Sequence, residues 1–175
     1  MKNKFILFAI VALILNINSE AQSNKKMLAK EEKLVWYTNA LKADSVSKVT
    51  NKPIFAFFTG SDWCGWCHKL QRHVFAKEKF IAWAKKNVVL LELDFPRSKQ
   101  LPIEIQQQNS GLQQALRVQG YPTIWVIKIE KDPIKNSVAL NTFGSLGYPS
   151  NAIAGKEEDA FLESANSILK NNSSK

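Results

Sequence analysis

Pro53-Ile54-Phe55-Ala56-Phe57-Phe58-Thr59-Gly60-Ser61-Asp62-Trp63-Cys64-Gly65-Trp66-Cys67-His68 is the stretch on which the reading of this chain turns. Its first seven residues form a compact apolar run with a proline at the opening position. That is the pattern of a strand buried on both faces. A helix is expected to start around Trp63–Cys64 and to carry Cys67, Leu70 and Val74 on one face. A Cys-x-x-Cys at a helix start has a physical purpose. The unsatisfied N–H groups and the positive end of the macrodipole stabilise a thiolate on Cys64. Cys67 lies on the same face and can close a small disulfide, and Gly65 permits the tight geometry between them. Thiol–disulfide exchange needs such a pair, one thiolate to attack and a neighbour to resolve the mixed disulfide.

Outward from this stretch the pattern alternates. Upstream, Leu34–Trp36 reads as an edge strand and Asn39–Thr50 as a short helix. Downstream, Lys77–Lys86 is a helical piece with Phe80, Ile81 and Ala84, and Val88–Asp94 is the next buried strand, implying a parallel crossover. Arg97–Asn109 is polar and reads as an insertion before a helix around Leu112–Leu116. Gly120-Tyr121-Pro122 breaks the chain ahead of a β-branched strand, Thr123–Ile129. Asp132-Pro133 makes a turn, and Val138–Phe143 is the hairpin partner. Glu157–Lys170 places Phe161, Ala165, Ile168 and Leu169 on one helical face. The order βαβ, helix, hairpin, helix predicts an α/β three-layer sandwich, a mixed β-sheet flanked by helices.

Composition narrows the function. The 175 residues suffice for one domain with its own core, and 22% charged with 10% aromatic content argues against disorder. Two cysteines exclude a disulfide-stapled miniprotein, a four-thiolate zinc site and an iron–sulfur cluster. Lys2 and Lys4 precede an apolar run from Phe5 to Leu15, and Ser19-Glu20-Ala21 supplies a cleavage site, so residues 1–21 read as a signal peptide. A polar leader, 22–33, and a domain over 34–175 come next. The expected product is soluble and exported, to the periplasm in a Gram-negative cell, where disulfides persist. Removing Lys2, Lys4 and Glu20 lowers the formal charge from +9 to +8. The remaining basic residues are scattered, unlike a nucleic-acid stripe, so no nucleic-acid partner is expected and the basic surface favours acidic partners or anionic membranes.

The Cys64/Cys67 pair together with Gly120-Tyr121-Pro122-Thr123 resembles the thioredoxin superfamily. The run Lys52-Pro53 to Cys67, with Asp94-Phe95-Pro96-Arg97, is similar to exported bacterial thioredoxin-like proteins over roughly residues 34–170. The resemblance implies a thioredoxin-like fold and a thiol–disulfide oxidoreductase, a reductase or isomerase of protein disulfides. It implies Cys64 as nucleophile, Cys67 as resolving cysteine and a cis Pro122 facing them. Tyr121 would offer its backbone to substrate, with Thr123 beside it. No cofactor is implied beyond the cysteines. A membrane redox partner and a monomeric state are the remaining expectations. Two departures limit the carry-over: Gly-Trp replaces thioredoxin's Gly-Pro between the cysteines, and Phe57 falls where thioredoxin keeps a buried acid.

Other readings of the same residues are open. Trp63 and Trp66 are a rim for docking substrates or packing over the helix start. His68 would lie beside the Cys64 sulfur and tune it when protonated. Asp62 is an N-cap or an acid. Cys64-Cys67-His68 also meets the c-type haem pattern, with only Met27 and His73 as further axial ligands. Cys64, Cys67, His68 and His73 are conceivable zinc ligands, although neighbours on a helix project about 100° apart. No metal is expected. The other non-redox alternative is a thioredoxin-like binding module with a static disulfide.

Overall fold

The computed structural model describes residues 33–132 and 137–172. The expected leader at 1–21, all but Lys33 of the stretch 22–33, Met27 and the turn at Pro133 lie outside them. The described chain opens with strand β1 (Trp36–Tyr37) and helix α1 (Ala40–Thr50), whose start is capped by Asn39 accepting the Lys42 N–H at 3.0 Å. Strand β2 (Ile54–Thr59) is buried at all six positions, as its unbroken apolar run requires. Helix α2 (Gly65–Leu70) continues through a widened π-turn (Gln71–Phe75), closed by the Ala76 N–H bonding back to the Gln71 carbonyl. Helix α3 (Glu78–Asn87), strand β3 (Val89–Asp94) and helix α4 (Ile103–Ala115) come after it. A hairpin of β4 (Thr123–Asp132) and β5 (Ser137–Leu146) leads to helix α5 (Glu157–Asn172).

The five strands form one mixed sheet in the order β1-β3-β2-β4-β5. β1 and β2 both run parallel to β3, β4 is antiparallel to β2, and β5 is antiparallel to β4. Alternation along the strands sends residues to two cores. Phe55, Phe57 and Leu90 pack with α2, α3 and α5, through Leu70, Phe80, Phe161 and Ala165. Ile54, Ala56, Phe58 and Leu91 pack on the other face with Ala40 and Ala43 of α1 and with Leu112 and Leu116 of the α4 region. Helices therefore cover both faces of the sheet, the three-layer arrangement expected.

One segment corrects the sequence reading. Residues 97–109 are not merely a polar insertion, because α4 begins at Ile103 directly after Pro102. Its docking ahead of Leu112 is polar. Gln108 accepts the Ala40 N–H at 2.7 Å and donates to the Thr38 carbonyl at 3.0 Å, while buried Asn109 donates to the Asp94 carbonyl at 2.9 Å. A helix held by amides leaves little apolar periodicity to read. The edge strand also sits slightly later than Leu34–Trp36.

Candidate active site

Central strand β2 delivers the chain to a turn that Gly60 makes possible. The N–H groups of Trp63 and Cys64 both bond to the Gly60 carbonyl, at 3.2 and 2.8 Å. A Cβ on Gly60 would lie 2.4 Å from the Trp63 indole, so only glycine fits under that ring. Strand β3 anchors the turn from the side. The Asp94 carboxylate accepts from the Ser61 N–H at 2.8 Å and the Ser61 hydroxyl at 2.6 Å, with Lys99 Nζ 3.1 Å away.

Cys64 is itself the N-cap of α2. Its sulfur accepts the Cys67 N–H at 3.2 Å, and the two cysteines are joined in a disulfide with Cα atoms 5.2 Å apart. The sulfur that would become a thiolate thus sits where the helix's free amides converge. Cys64 is 5% exposed and Cys67 not at all, and both belong to the core on the α2, α3 and α5 face. Tyr121–Pro122 is a cis peptide bond, leading directly into β4 at Thr123.

Each tryptophan has its own surroundings. Trp63, 36% exposed, donates from Nε1 to the Phe95 carbonyl at 2.8 Å, meets Tyr121 edge-on at 5.7 Å and carries the Arg97 guanidinium 3.9 Å above its ring. Trp66, 52% exposed, lies 5.1 Å from the Tyr148 ring and carries Lys69 Nζ at 4.3 Å. Tyr121 stacks on Phe95, and its hydroxyl accepts from Gln113 Nε2 at 2.7 Å. Burial pushes the Tyr121 phenol up, an effect that the Gln113 bond opposes. The Tyr148 hydroxyl and His73 Nδ1 share a hydrogen bond of 2.8 Å.

The residues around the motif take the following places. His68 donates from Nε2 to the Ser61 carbonyl at 2.8 Å, so the ring braces the turn before Cys64. Asp62 is neither N-cap nor acid. Its carboxylate accepts the N–H groups of Arg97 and Ser98 and, in a short bond, the Ser98 hydroxyl, and these bonds hold its pKa down at about 2. Among the described residues no group of three or more metal-ligating side chains converges; Cys64 and Cys67 bond to each other, His68 to Ser61 and His73 to Tyr148.

Phe57 is fully buried in the same core as the cysteines. In register with it on β3, and on the same face by strand alternation, stands Glu92. Burial first, and the charge of Asp94 second, raise its carboxyl above the usual range. Asp94, Arg97, Lys69 and Tyr148 were not singled out from the sequence as site residues. Asp94 and Arg97 carried a local signal, the Asp94-Phe95-Pro96-Arg97 run, whereas Tyr148 reaches Trp66 only through the fold.

Comparison with known proteins agrees with this geometry. A family model described as a thioredoxin-like domain matches residues 41–135. The disulfide bond reductase DsbH of Chlamydia pneumoniae is 39% identical over 84 residues, 48% of this chain and 51% of that protein. The thioredoxin-related protein DsbJ of the same organism is 25% identical over 114 residues, 65% of this chain and 32% of that protein. The matches thus span about half and about a third of the length of these curated relatives. A solved structure of a DsbH oxidoreductase has a TM-score of 0.64 at 30% identity, covering 79% of this chain and 85% of that one. A thioredoxin from Thermus thermophilus, at TM-score 0.53 and 14% identity, shares the fold.

Proposed function

The chain belongs to the thioredoxin-like family, and from that premise we propose that it is an exported thiol–disulfide oxidoreductase working in the reducing direction on protein disulfides. The observation that carries the proposal is the Cys64 sulfur at the helix N-terminus, accepting the Cys67 N–H within a Cys64–Cys67 disulfide. After reduction of that pair, the Cys64 thiolate attacks one sulfur of a substrate disulfide, forming a mixed disulfide and expelling the other sulfur as a thiolate. Cys67 then loses its proton to water, attacks the Cys64 sulfur and releases the second substrate thiolate. Two electrons pass to the substrate, and the protein disulfide is restored. The cysteines carry the electrons without a further cofactor, and a membrane dithiol donor would reset them. Trp63, Trp66, Tyr121, cis Pro122 and Thr123 shape the substrate's approach. The direction is supported by the relative named a disulfide bond reductase.

Cys67→Ser tests the roles of the two thiols. That variant should accumulate mixed disulfides through Cys64, while Cys64→Ser traps almost none. Equal trapping, or trapping through Cys67 alone, reverses the assignment. Export is tested separately by intact mass. Mature protein from the native cell should begin at or near Gln22, and retained Met1 on the exported product refutes export by cleavage.

A static disulfide in a binding module is the second reading, favoured by the burial of Cys64. It requires that the reduced protein leave every disulfide substrate untouched.

A further inference from the structure

The charges around the disulfide are unevenly matched. Among the described residues, Lys69, Arg72 and Arg97 are exposed cations with no carboxylate partner. Two of them lie on the exposed tryptophans that flank Cys64, Lys69 over Trp66 and Arg97 over Trp63. Arg72 joins Gly65, Trp66, His68 and Lys69 in lining a groove of about 400 Å³ beside the motif. Of the neighbouring acids, Asp94 is paired with Lys99, and Glu157 lies 3.7 Å from His73 on the far side of Tyr148. Asp62 is held by neutral groups of the Arg97–Ser98 segment and keeps its charge near Arg97, so Lys69 and Arg72 are the stronger cationic arm.

Topology places the cations on opposite sides of the cysteines. Trp63 and Arg97 belong with the loop after β3, on one side of central β2, whereas Trp66 stands against Tyr148 in the loop after β5, two strands to the other side. A cation on an indole face is attracted to the ring without being neutralised. Both therefore remain available to an incoming anion.

We propose that this rim selects disulfide substrates whose cysteine is flanked by carboxylates, one side chain meeting Lys69 and Arg72 and another meeting Arg97. The proposal rests on the reductase reading and names its substrate class. Apolar contact with the two indoles accommodates the segment near its cysteine, and the cations steer acidic flanks into place. Charge steering of this kind acts on the rate of encounter and weakens with salt.

The test uses the reduced full-length mature protein and three disulfide-linked peptide dimers, Glu-Gly-Cys-Gly-Glu and its Gln and Lys counterparts, in single-turnover reduction at low and high salt. The acidic probe should react about 10-fold faster than the neutral one and the basic probe slower, with the spread collapsing in 1 M salt. Lys69→Glu with Arg72→Glu should invert the ranking of acidic and basic probes, as should Arg97→Glu to a smaller degree. Lys69→Gln should only flatten it. A change common to all three probes measures the Cys64 thiolate, so the acidic-to-basic ratio is the quantity that reads the surface. Equal rates for the three probes, or a ranking unmoved by charge reversal, overturn the surface. Failure of even the neutral probe to be reduced overturns the reductase reading instead.

Discussion

Asp62 shows how a single side chain can be assigned by what it holds. It precedes the motif and is exposed, yet its oxygens are committed to the segment that carries Arg97 over Trp63. Its pKa of about 2 lies below the ordinary value near 3.9, so the folded state favours the ionised form. The stabilisation is complete above about pH 4 and disappears as pH falls through about 2. Asp62→Asn should therefore melt at a lower temperature than the parent at pH 7, with the two melting curves converging towards pH 2. Thermal melts across that range check it, and a gap that stays constant with pH assigns the effect to something other than the carboxylate charge. The sequence named Asp62 as a residue of interest, but its role was not legible. The partners that define it, Arg97 and Ser98, lie 35 and 36 residues away.

At the scale of elements, legibility followed the kind of force that docks each one. β2 and β3 bury apolar runs and announce themselves, and α1 carries its own cap in Asn39. α4 reverses this pattern. Gln108 and Asn109 fasten it through backbone groups of Thr38, Ala40 and Asp94, so its first turns read as a polar loop. The π-turn after α2 likewise leaves no mark in residue periodicity, since one widened hydrogen bond shifts the register of the residues after it. The Asn109 amide is a buried contact and a sharp test of this account. Asn109→Ala removes the donor to the Asp94 carbonyl and should cost about 1–3 kcal/mol in denaturant unfolding. Because Asp94 also holds Ser61, the change should be felt at the turn before Cys64 as faster amide exchange at Ser61. Unaltered stability would mean that the Gln108 bonds and the apolar contacts of Leu112 and Leu116 hold α4 without the Asn109 amide.

For the whole molecule, the redox pair and the fold are linked through one thermodynamic cycle. The difference in unfolding free energy between oxidised and reduced protein equals the extent to which folding favours or opposes the disulfide. A strong oxidant is one whose reduced form is the more stable, because the fold stabilises its thiolate. Here the support for the thiolate is confined to the helix N-terminus. Cys64 accepts one backbone N–H, Gly65 and Trp66 bring no charge between the cysteines, and His68 spends its Nε2 on Ser61. Burial of both sulfurs in an apolar core opposes ionisation further. The flanking cations are exposed and screened by salt, so they offset only part of this burial. Closing a loop this short restricts the unfolded chain by about 2 kcal/mol. The oxidised protein should therefore be the more stable form by about that amount, melting roughly 6 °C above the protein kept in excess dithiol. Parallel denaturant and thermal unfolding of the two forms measures the gap. Its sign decides the direction of electron flow: an oxidised form that melts higher belongs to a reductant, and a reduced form that melts higher makes this chain an oxidant.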